Sequence, residues 1–477
     1  MLFSSTVFLF LFLPLVLLAH YLTPRAEKNL VLILASLVFY FWGEAFFVFV
    51  MLASIAANYG FGRMVAGSRT RAGAKRVVAL AVVLNLALLC AYKYVDWLLA
   101  NLDVLLLAIG VSPIEFETQE RLPIGISFFT FQALSYVIDV YRGDARVQRN
   151  PFNLALYISM FPQLIAGPIV RYRAIADQLE NRSVPMSRFA LGVRRFVVGL
   201  GKKVLIAGPL QVPAMAIFDT LPAENLSAAV VWVGVLCYTL QLYFDFSGYS
   251  DMAVGLGHML GFELPENFDY PFVARSVRDI WRRWHITLTT WFRDYVYFPL
   301  GGSLGSSWRT YLNLVSVFVL VGLWHGARWN YVVFGLYHGV FLVLERQRGW
   351  SSALARAPRA LQHGYTIAVW VAGLVIFRCS SLAQTRSFYS VMLGFEQGGR
   401  PAPAWDYLTT ETLIVFPIAI LCSLPVLRFL RERIDRSGSL PATTSPVLAL
   451  VCVFAVFLLS VMVMAATTHH PFIYFRF

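Results

Sequence analysis

Apolar runs long enough to cross a lipid bilayer recur along the whole chain, and no other feature restricts its fold as strongly. A bilayer core of about 30 Å needs a helix of about 20 mostly apolar residues. The chain is 58% hydrophobic and 14% charged, whereas soluble proteins are about 45–50% apolar and about 25% charged. The sequence therefore predicts an all-α polytopic membrane protein with about 11–13 spanning helices, several of them short or re-entrant.

The apolar spans also give the expected orientation. They fall near 4–22, 30–43, 45–62, 77–95, 123–141, 152–170, 190–217, 228–246, 310–325, 330–345, 365–378, 411–427 and 446–466. The first is interpreted as a retained helix, because no basic region precedes it and no small-residue cleavage site follows. Cytoplasmic loops are rich in Lys and Arg, so the basic cluster at 63–76 predicts a periplasmic N-terminus. The net charge of +13 is attributed to such loops, and nucleic-acid binding is not expected.

Two apolar segments carry residues that interrupt helices. "RLPIGISFFTFQALSYVIDVYRG" (121–143) contains a proline, glycines and Asp139, and "FPQLIAGPIVRY" (161–172) contains two prolines and a glycine. Non-helical backbone at membrane depth persists only where protein buries it or where it lines a cavity. We therefore expect broken helices around an internal cavity, as in transporters and in intramembrane enzymes.

The stretch "QLYFDFSGYSDMAVGLG" (241–257) places two carboxylates in an apolar helix. Asp245 and Asp251 are six residues apart, so a regular helix directs them to different faces. A paired acid and base is not expected. The two residues fit a polar interior or a proton-coupled carrier.

The stretch "RSVRDIWRRWHITLTTWFRDYVYFPLGG" (275–302) mixes arginines with tryptophans and tyrosines. This pattern is typical of an interfacial segment rather than of a spanning helix. Its arginines, Arg282 and Arg283 among them, fit anionic lipid headgroups or the phosphates of an acyl carrier such as coenzyme A. His285 lies between the arginine-rich half and the more apolar half.

The stretch "GLWHGARWNYVVFGLYHG" (322–339) places His325, Arg328 and His338 in an apolar region. A neutral imidazole near pKa 6.5 suits a general base acting on a hydroxyl, but a buried histidine can also serve packing alone. "GARWN" predicts a helix break before His338. No two histidines in these stretches have metal-ligand spacing, so no metal site is expected.

Other polar features need no chemistry. The tail "HHPFIYFRF" (469–477) is interpreted as an aromatic, basic interfacial anchor. The five cysteines are scattered through apolar segments, which favours reduced thiols over disulfides.

Taken in order, these stretches resemble the membrane-bound O-acyltransferases. "RRWHITLTTWFRDYVYFPLGG" followed by "GLWHGARWNYVVFGLYHG" carries the resemblance, and the 121–143, 161–172 and 241–257 stretches extend it. "MLFSSTVFLFLFLPLVL" and "PFIYFRF" are similar to the bacterial branch that contains the alginate O-acetyltransferase membrane subunit. The resemblance thus covers nearly the whole chain.

The resemblance implies one membrane domain over 1–477, with peripheral helices at about 1–120, a catalytic core at about 121–345 and C-terminal helices at about 346–477. Its helices would ring a thin region pierced by a tunnel. The characteristic histidine of the family matches His325, and its second motif position matches His285. Trp324, Arg282 and Asp294 are candidates for shaping the tunnel or for structural roles.

The resemblance also implies an activity. An acyl thioester, with acetyl-CoA as the expected donor and no permanently bound cofactor, would serve O-acetylation of an exported polysaccharide such as alginate or cellulose. The expected location is the bacterial inner membrane. Expected partners are membrane lipids, periplasmic acetyltransferase or esterase-like proteins and a polysaccharide synthase complex. A transporter or flippase, or a non-catalytic scaffold of a glycan-secretion complex, remains the alternative.

Overall fold

A computed structural model describes residues 1–113, 122–220, 226–395, 403–426, 429 and 444–466 of the chain. Within these residues all regular structure is helical, which confirms the predicted all-α class. The helices are α1 (Leu13–Leu22), α2 (Lys28–Phe41), α3 (Phe47–Gly67), α4 (Arg71–Lys93), α5 (Val95–Ala108), α6 (Ile126–Arg142), α7 (Pro151–Ser159), α8 (Phe161–Leu164), α9 (Tyr172–Glu180), α10 (Met186–Gly201), α11 (Gly208–Met215), α12 (Ala228–Leu260), α13 (Val277–Arg283), α14 (Ile286–Phe292), α15 (Ser307–His325), α16 (Trp329–Arg346), α17 (Arg348–Arg356), α18 (Arg359–Arg378), α19 (Leu382–Met392), α20 (Thr410–Ser423) and α21 (Thr444–Ala466).

Five helices in the described residues are long and apolar enough to cross a membrane. They are Phe47–Gly67, Arg71–Lys93, Ala228–Leu260, Arg359–Arg378 and Val447–Ala466. Shorter apolar helices cover Phe8–Leu22 and Thr410–Ser423. The polytopic membrane class is therefore confirmed, while the larger number of crossings, the ring and the tunnel stay predictions. The tail with His469 and His470 lies outside the described residues.

The chain divides into two compact units. The first comprises Met1–Val193, Ala253–Pro265 and Gly326–Arg328, and the second comprises Arg194–Met252, Glu266–His325 and Trp329–Phe477.

One of the two predicted helix breaks occurs, at residues 161–172 in the first unit, whereas the 121–143 stretch forms a continuous helix over Ile126–Arg142. Residues 161–170 are buried, yet the helix that begins at Phe161 ends at Leu164 and regular helix resumes only at Tyr172. The carbonyl of Val170, inside this gap, accepts a hydrogen bond of 2.8 Å from the Tyr157 hydroxyl. Gly125 has φ +79°, and a Cβ there would lie 2.6 Å from the Leu164 carbonyl oxygen, so only glycine fits. Protein therefore buries this irregular backbone, as expected at membrane depth.

In the second unit, α15 and α16 form a close antiparallel hairpin. A Cβ on Gly322 would collide with the carbonyl oxygen of Tyr331, and one on Gly335 would collide with that of Phe318. The predicted break at "GARWN" is confirmed, because α15 ends at His325 and α16 begins at Trp329. Small residues thus hold the end of α15 tightly against its neighbour.

Candidate active site

His285 lies at the junction between the short helices α13 and α14. It is fully buried, and its backbone is left-handed at φ 44°, ψ 51°. Among the described non-glycine residues only Tyr270 shares a positive φ. Such a conformation costs about 1–3 kcal/mol and persists only where the surroundings enforce it. The surrounding structure therefore holds the backbone of His285, a candidate site residue from the sequence, in an unfavourable conformation.

Asn267 supplies much of that enforcement. Its carbonyl oxygen accepts from the Ile286 N–H at 3.0 Å, and its Oδ1 accepts from the Thr287 N–H at 3.2 Å and the Thr287 hydroxyl at 2.9 Å. Its Nδ2 donates to the Ser250 hydroxyl at 3.1 Å. Asn267 thus ties the start of α14 to α12 and sets the position of His285.

His325 ends α15 and is 5% exposed. Its ring packs edge-on against Trp324, with centroids 5.0 Å apart, and against Phe377 at 5.1 Å. The aromatic wall restricts the imidazole to few orientations, which a group that moves a proton requires.

The two histidines come together. Their ring centroids lie 6.4 Å apart, and the Trp324 ring lies 5.6 Å from that of His285. Rings at this separation leave room for a reacting group between them. Burial and, secondarily, the charge of a protonated His325 lower the pKa of His285 well below its ordinary value of 6.5.

A cavity of about 690 Å³ is lined by residues close in the chain to both histidines, but by neither histidine itself. Its lining residues include Ile286, next to His285 in the chain, and Val321, one helical turn before His325. Its interior is mainly apolar, whereas its cationic side chains are exposed arginines and no lining residue is acidic. The arginines are Arg278, Arg282, Arg293 and Arg346. The cavity therefore suits a ligand with an anionic head and an apolar arm.

Glu345 holds the arginine-bearing helix α13 in place. Its buried carboxylate accepts from the N–H groups of Val277 at 2.6 Å and Arg278 at 2.9 Å. The Arg278 guanidinium also donates to the Glu345 carbonyl at 3.2 Å. A negative charge at a helix N-terminus satisfies unpaired N–H groups and complements the helix dipole.

The candidates from the sequence separate into groups. His285, His325 and Trp324 form one aromatic cluster, and Arg282 lines the cavity. Asp294 is buried and accepts from Arg293 Nε at 2.8 Å, so it fixes an arginine of the cavity rather than lining it.

The remaining polar residues of these stretches lie apart from the pair. His338 is fully buried, with its ring centroid 5.2 Å from that of Trp281 and 4.7 Å from that of Phe334. Arg328 is exposed. Among the described residues, no group of three or more histidine, cysteine or acidic side chains could hold a metal ion.

The two helical aspartates have separate partners. Lys203 donates to the buried carboxylate of Asp245, and Asp251 pairs with Arg195 at 2.9 Å and Lys202 at 2.6 Å. As expected, they form no carboxylate dyad. Their cationic partners favour a structural role for them in the protein interior.

Residues 141–391 match the family described as MBOAT, membrane-bound O-acyltransferase family. This range includes both histidines and every residue that lines the cavity. The chain belongs to this family.

The similarity extends to named relatives. The chain is 38% identical to the probable alginate O-acetylase AlgI of Pseudomonas putida, over 100% of both chains. It is 35% identical to the peptidoglycan O-acetyltransferase of Helicobacter pylori, over 80% of this chain and 76% of the relative. It is 29% identical to the teichoic acid D-alanyltransferase of Bacillus subtilis, over 46% and 58%. The predicted resemblance is confirmed, and this MBOAT chain is a membrane O-acyltransferase.

Sequence reasoning missed Asn267 and Glu345, which position the MBOAT site. Asn267 lies in "LPENFDYPF", which has no helical periodicity, and Glu345 ends an apolar helix where an ion pair was the ordinary expectation. The sequence shows only that Asn267 is a polar residue between two helices and that Glu345 is a carboxylate at the end of an apolar helix. Neither feature indicates which groups these side chains would hydrogen-bond.

Proposed function

We propose that the chain transfers an acetyl group from cytoplasmic acetyl-CoA, across the bacterial inner membrane, for O-acetylation of an exported polysaccharide such as alginate or cellulose. The observation that carries this proposal is the buried pair His285 and His325, whose chain neighbours Ile286 and Val321 line a cavity in which all charged lining residues are arginines. The names of the relatives support a surface glycan as the acceptor.

His325 acts as the general base. It takes the proton from the accepting hydroxyl, whose oxygen forms a bond to the thioester carbonyl carbon. The tetrahedral intermediate then expels the thiolate, and the proton held by His325 passes to that sulfur. The lowered pKa of His285 makes it a weak base and keeps it neutral. A neutral imidazole can still donate a hydrogen bond to the oxyanion, a contribution of about 3–4 kcal/mol in other enzymes.

The arginine-lined cavity binds the donor. Coenzyme A carries phosphates at one end and the reactive thioester at the end of a long arm. Exposed arginines suit the phosphates, and the cavity extends to Val321, one helical turn before His325. Periplasmic acetyltransferase or esterase-like partners and the polysaccharide synthase then pass the acetyl group to its final position.

The histidine roles are tested in membranes from cells that make each variant. His325→Ala should lower the release of coenzyme A from acetyl-CoA by about 10²–10⁴-fold, the usual contribution of a general base. His285→Ala should lower it by about 10²–10³-fold. The matched control is His363→Ala, because His363 lies on α18 outside the cluster. Unchanged release by a well-inserted His325→Ala protein contradicts the mechanism.

The donor is tested separately. Arg282→Gln combined with Arg346→Gln should raise the KM for acetyl-CoA with a smaller change in kcat. The control pair Arg356→Gln and Arg359→Gln removes two exposed charges beyond the cavity and should leave KM unchanged. Equal KM values in both double variants refute the assignment of coenzyme A to this cavity.

A further inference from the structure

A second cavity, of about 890 Å³, lies in the first unit, whereas the histidine pair belongs to the second. It forms where α1 ends and α2 begins, against the start of α7 and the segment after α9. Polar side chains dominate it. Its lining residues are His20, Tyr21, Arg25, Ala26, Lys28, Asn29, Asn150, Asn153, Leu179, Glu180, Asn181, Arg182, Ser183, Val184 and Pro185.

The cavity is cationic. Its lining residues include three cations, Arg25, Lys28 and Arg182, and one carboxylate, that of Glu180. In the described part of the chain, no acidic oxygen lies within 4 Å of any of these three cations. No carboxylate therefore neutralises them, although Arg182 Nη1 donates to the carbonyls of Gln178 at 3.4 Å and Leu179 at 3.5 Å.

Two buried polar atoms in the lining residues have no hydrogen-bond partner. The Nε atom of Arg182 is one, while its guanidinium packs over the Phe262 ring at 4.5 Å. The Nδ1 atom of His20 is the other, on a side chain 1% exposed. Buried groups of this kind are normally satisfied, so each needs an explanation, and a bound acceptor supplies one.

The wall of the cavity is fixed before any ligand binds. Asn29 Nδ2 donates to Asn153 Oδ1 and to the Leu179 carbonyl, both at 2.8 Å. The Tyr21 hydroxyl donates to the Met259 carbonyl at 2.6 Å. These bonds join residues far apart in the chain and reduce the ordering that binding would require.

Headgroup depth fits the surroundings of the cavity. Two mostly apolar helices, α1 and α2, flank a short linker that carries Arg25, and basic linkers between apolar helices are common at a membrane face. On α1 the side chains of Leu15, Leu18 and Leu22 are 56%, 58% and 76% exposed. A row of exposed leucines on an apolar helix suits acyl chains, next to a cationic cavity that suits their headgroup.

We propose that this cavity binds a phosphate group, and the exposed leucines favour an anionic phospholipid as its source. Arg182, Lys28 and Arg25 would donate to the phosphate oxygens, with His20 behind them. The site is separate from acyl transfer and does not depend on the proposed donor or acceptor.

The test uses the full chain in a neutral detergent. Native mass spectrometry and thermal unfolding are measured with dioleoylphosphatidylglycerol, dioleoylphosphatidylcholine and soluble glycerol phosphate as probes. The test variant is Lys28→Gln with Arg182→Gln. The matched control is Lys75→Gln with Arg76→Gln, which removes two exposed cations of α4. Arg25→Gln with Lys28→Gln keeps Arg182 packed on its aromatic neighbour and serves if the first variant unfolds.

The expected result is tighter binding of phosphatidylglycerol than of phosphatidylcholine, with the dissociation constant raised about tenfold in the test variant and unchanged in the control. Equal binding of glycerol phosphate would identify a soluble phosphate ester as the source and still support the site. Equal binding of both lipids, or equal losses in test and control variants, overturns the proposal.

Discussion

Gly322→Ala should separate α15 from α16 and displace His325, the proposed general base. The new Cβ would collide with the Tyr331 carbonyl oxygen and would lie 3.0 Å from the Tyr331 carbonyl carbon and 3.2 Å from the Gly335 nitrogen. Ordinary C···O contacts are about 3.3–3.6 Å, so the helices must move apart by about 1 Å at this level. Gly322 is one turn before His325, so the imidazole moves with its helix.

The size of the effect follows from that displacement. Overpacking of this kind costs about 1–3 kcal/mol of stability. A misplacement of about 1 Å in a reactive group can lower activity by about 10²-fold. The expected result is a loss of acetyl transfer larger than the loss of folded protein explains.

The measurement compares coenzyme A release per unit of folded, membrane-inserted protein. Gly364→Ala is the matched control, because no atom lies within 4 Å of a Cβ at that helical position. It should keep full activity and gain slightly in stability, since alanine favours helix more than glycine does. Activity of Gly322→Ala within twofold of the control refutes the reasoning.

Three further predictions concern single charges. Burial lowers the pKa of His285, so the unfolded chain binds a proton at this residue more readily than the folded chain does. The free energy of unfolding should therefore fall as the pH drops through about 6.5. His285→Asn should flatten the dependence of Tm on pH between about 5 and 7.5, and an unchanged slope refutes the assignment. Glu345→Gln should lower the free energy of unfolding by about 1–2 kcal/mol, because α13 loses the anion that holds its N-terminus. The same change should raise the KM for acetyl-CoA, and a KM equal to that of the wild type contradicts this role. Lys203→Met should destabilise the protein by about 3–5 kcal/mol because it removes the buried cation that pairs with Asp245. The double variant with Asp245→Leu should recover much of this loss in thermal unfolding, and a double variant no more stable than the single one argues against the pair.

The sequence by itself determined that the chain is a helical membrane protein, and it singled out His285 and His325 as candidate site residues. Apolar runs of bilayer length leave helices as the structure that satisfies every backbone group, and helix-interrupting residues in the 161–172 stretch marked a buried break that the structure contains. The ordered motifs around His285 and His325 identified the family. The six-residue spacing of Asp245 and Asp251 in one helix correctly predicted that these two carboxylates do not pair with each other.

Only the tertiary structure decided how the site is assembled. His285 and His325 are forty residues apart, and no local periodicity fixes the distance between two different helices. The support from Asn267 and Glu345 depends on hydrogen bonds to elements far along the chain, 17 residues away for Ser250 and 68 for Val277. The cationic cavity likewise brings Arg25 together with residues about 150 positions later in the chain. Secondary-structure propensity carries no information about such a contact. Chain-distant contacts of this kind arise from packing, so they appear only when the helices are placed together.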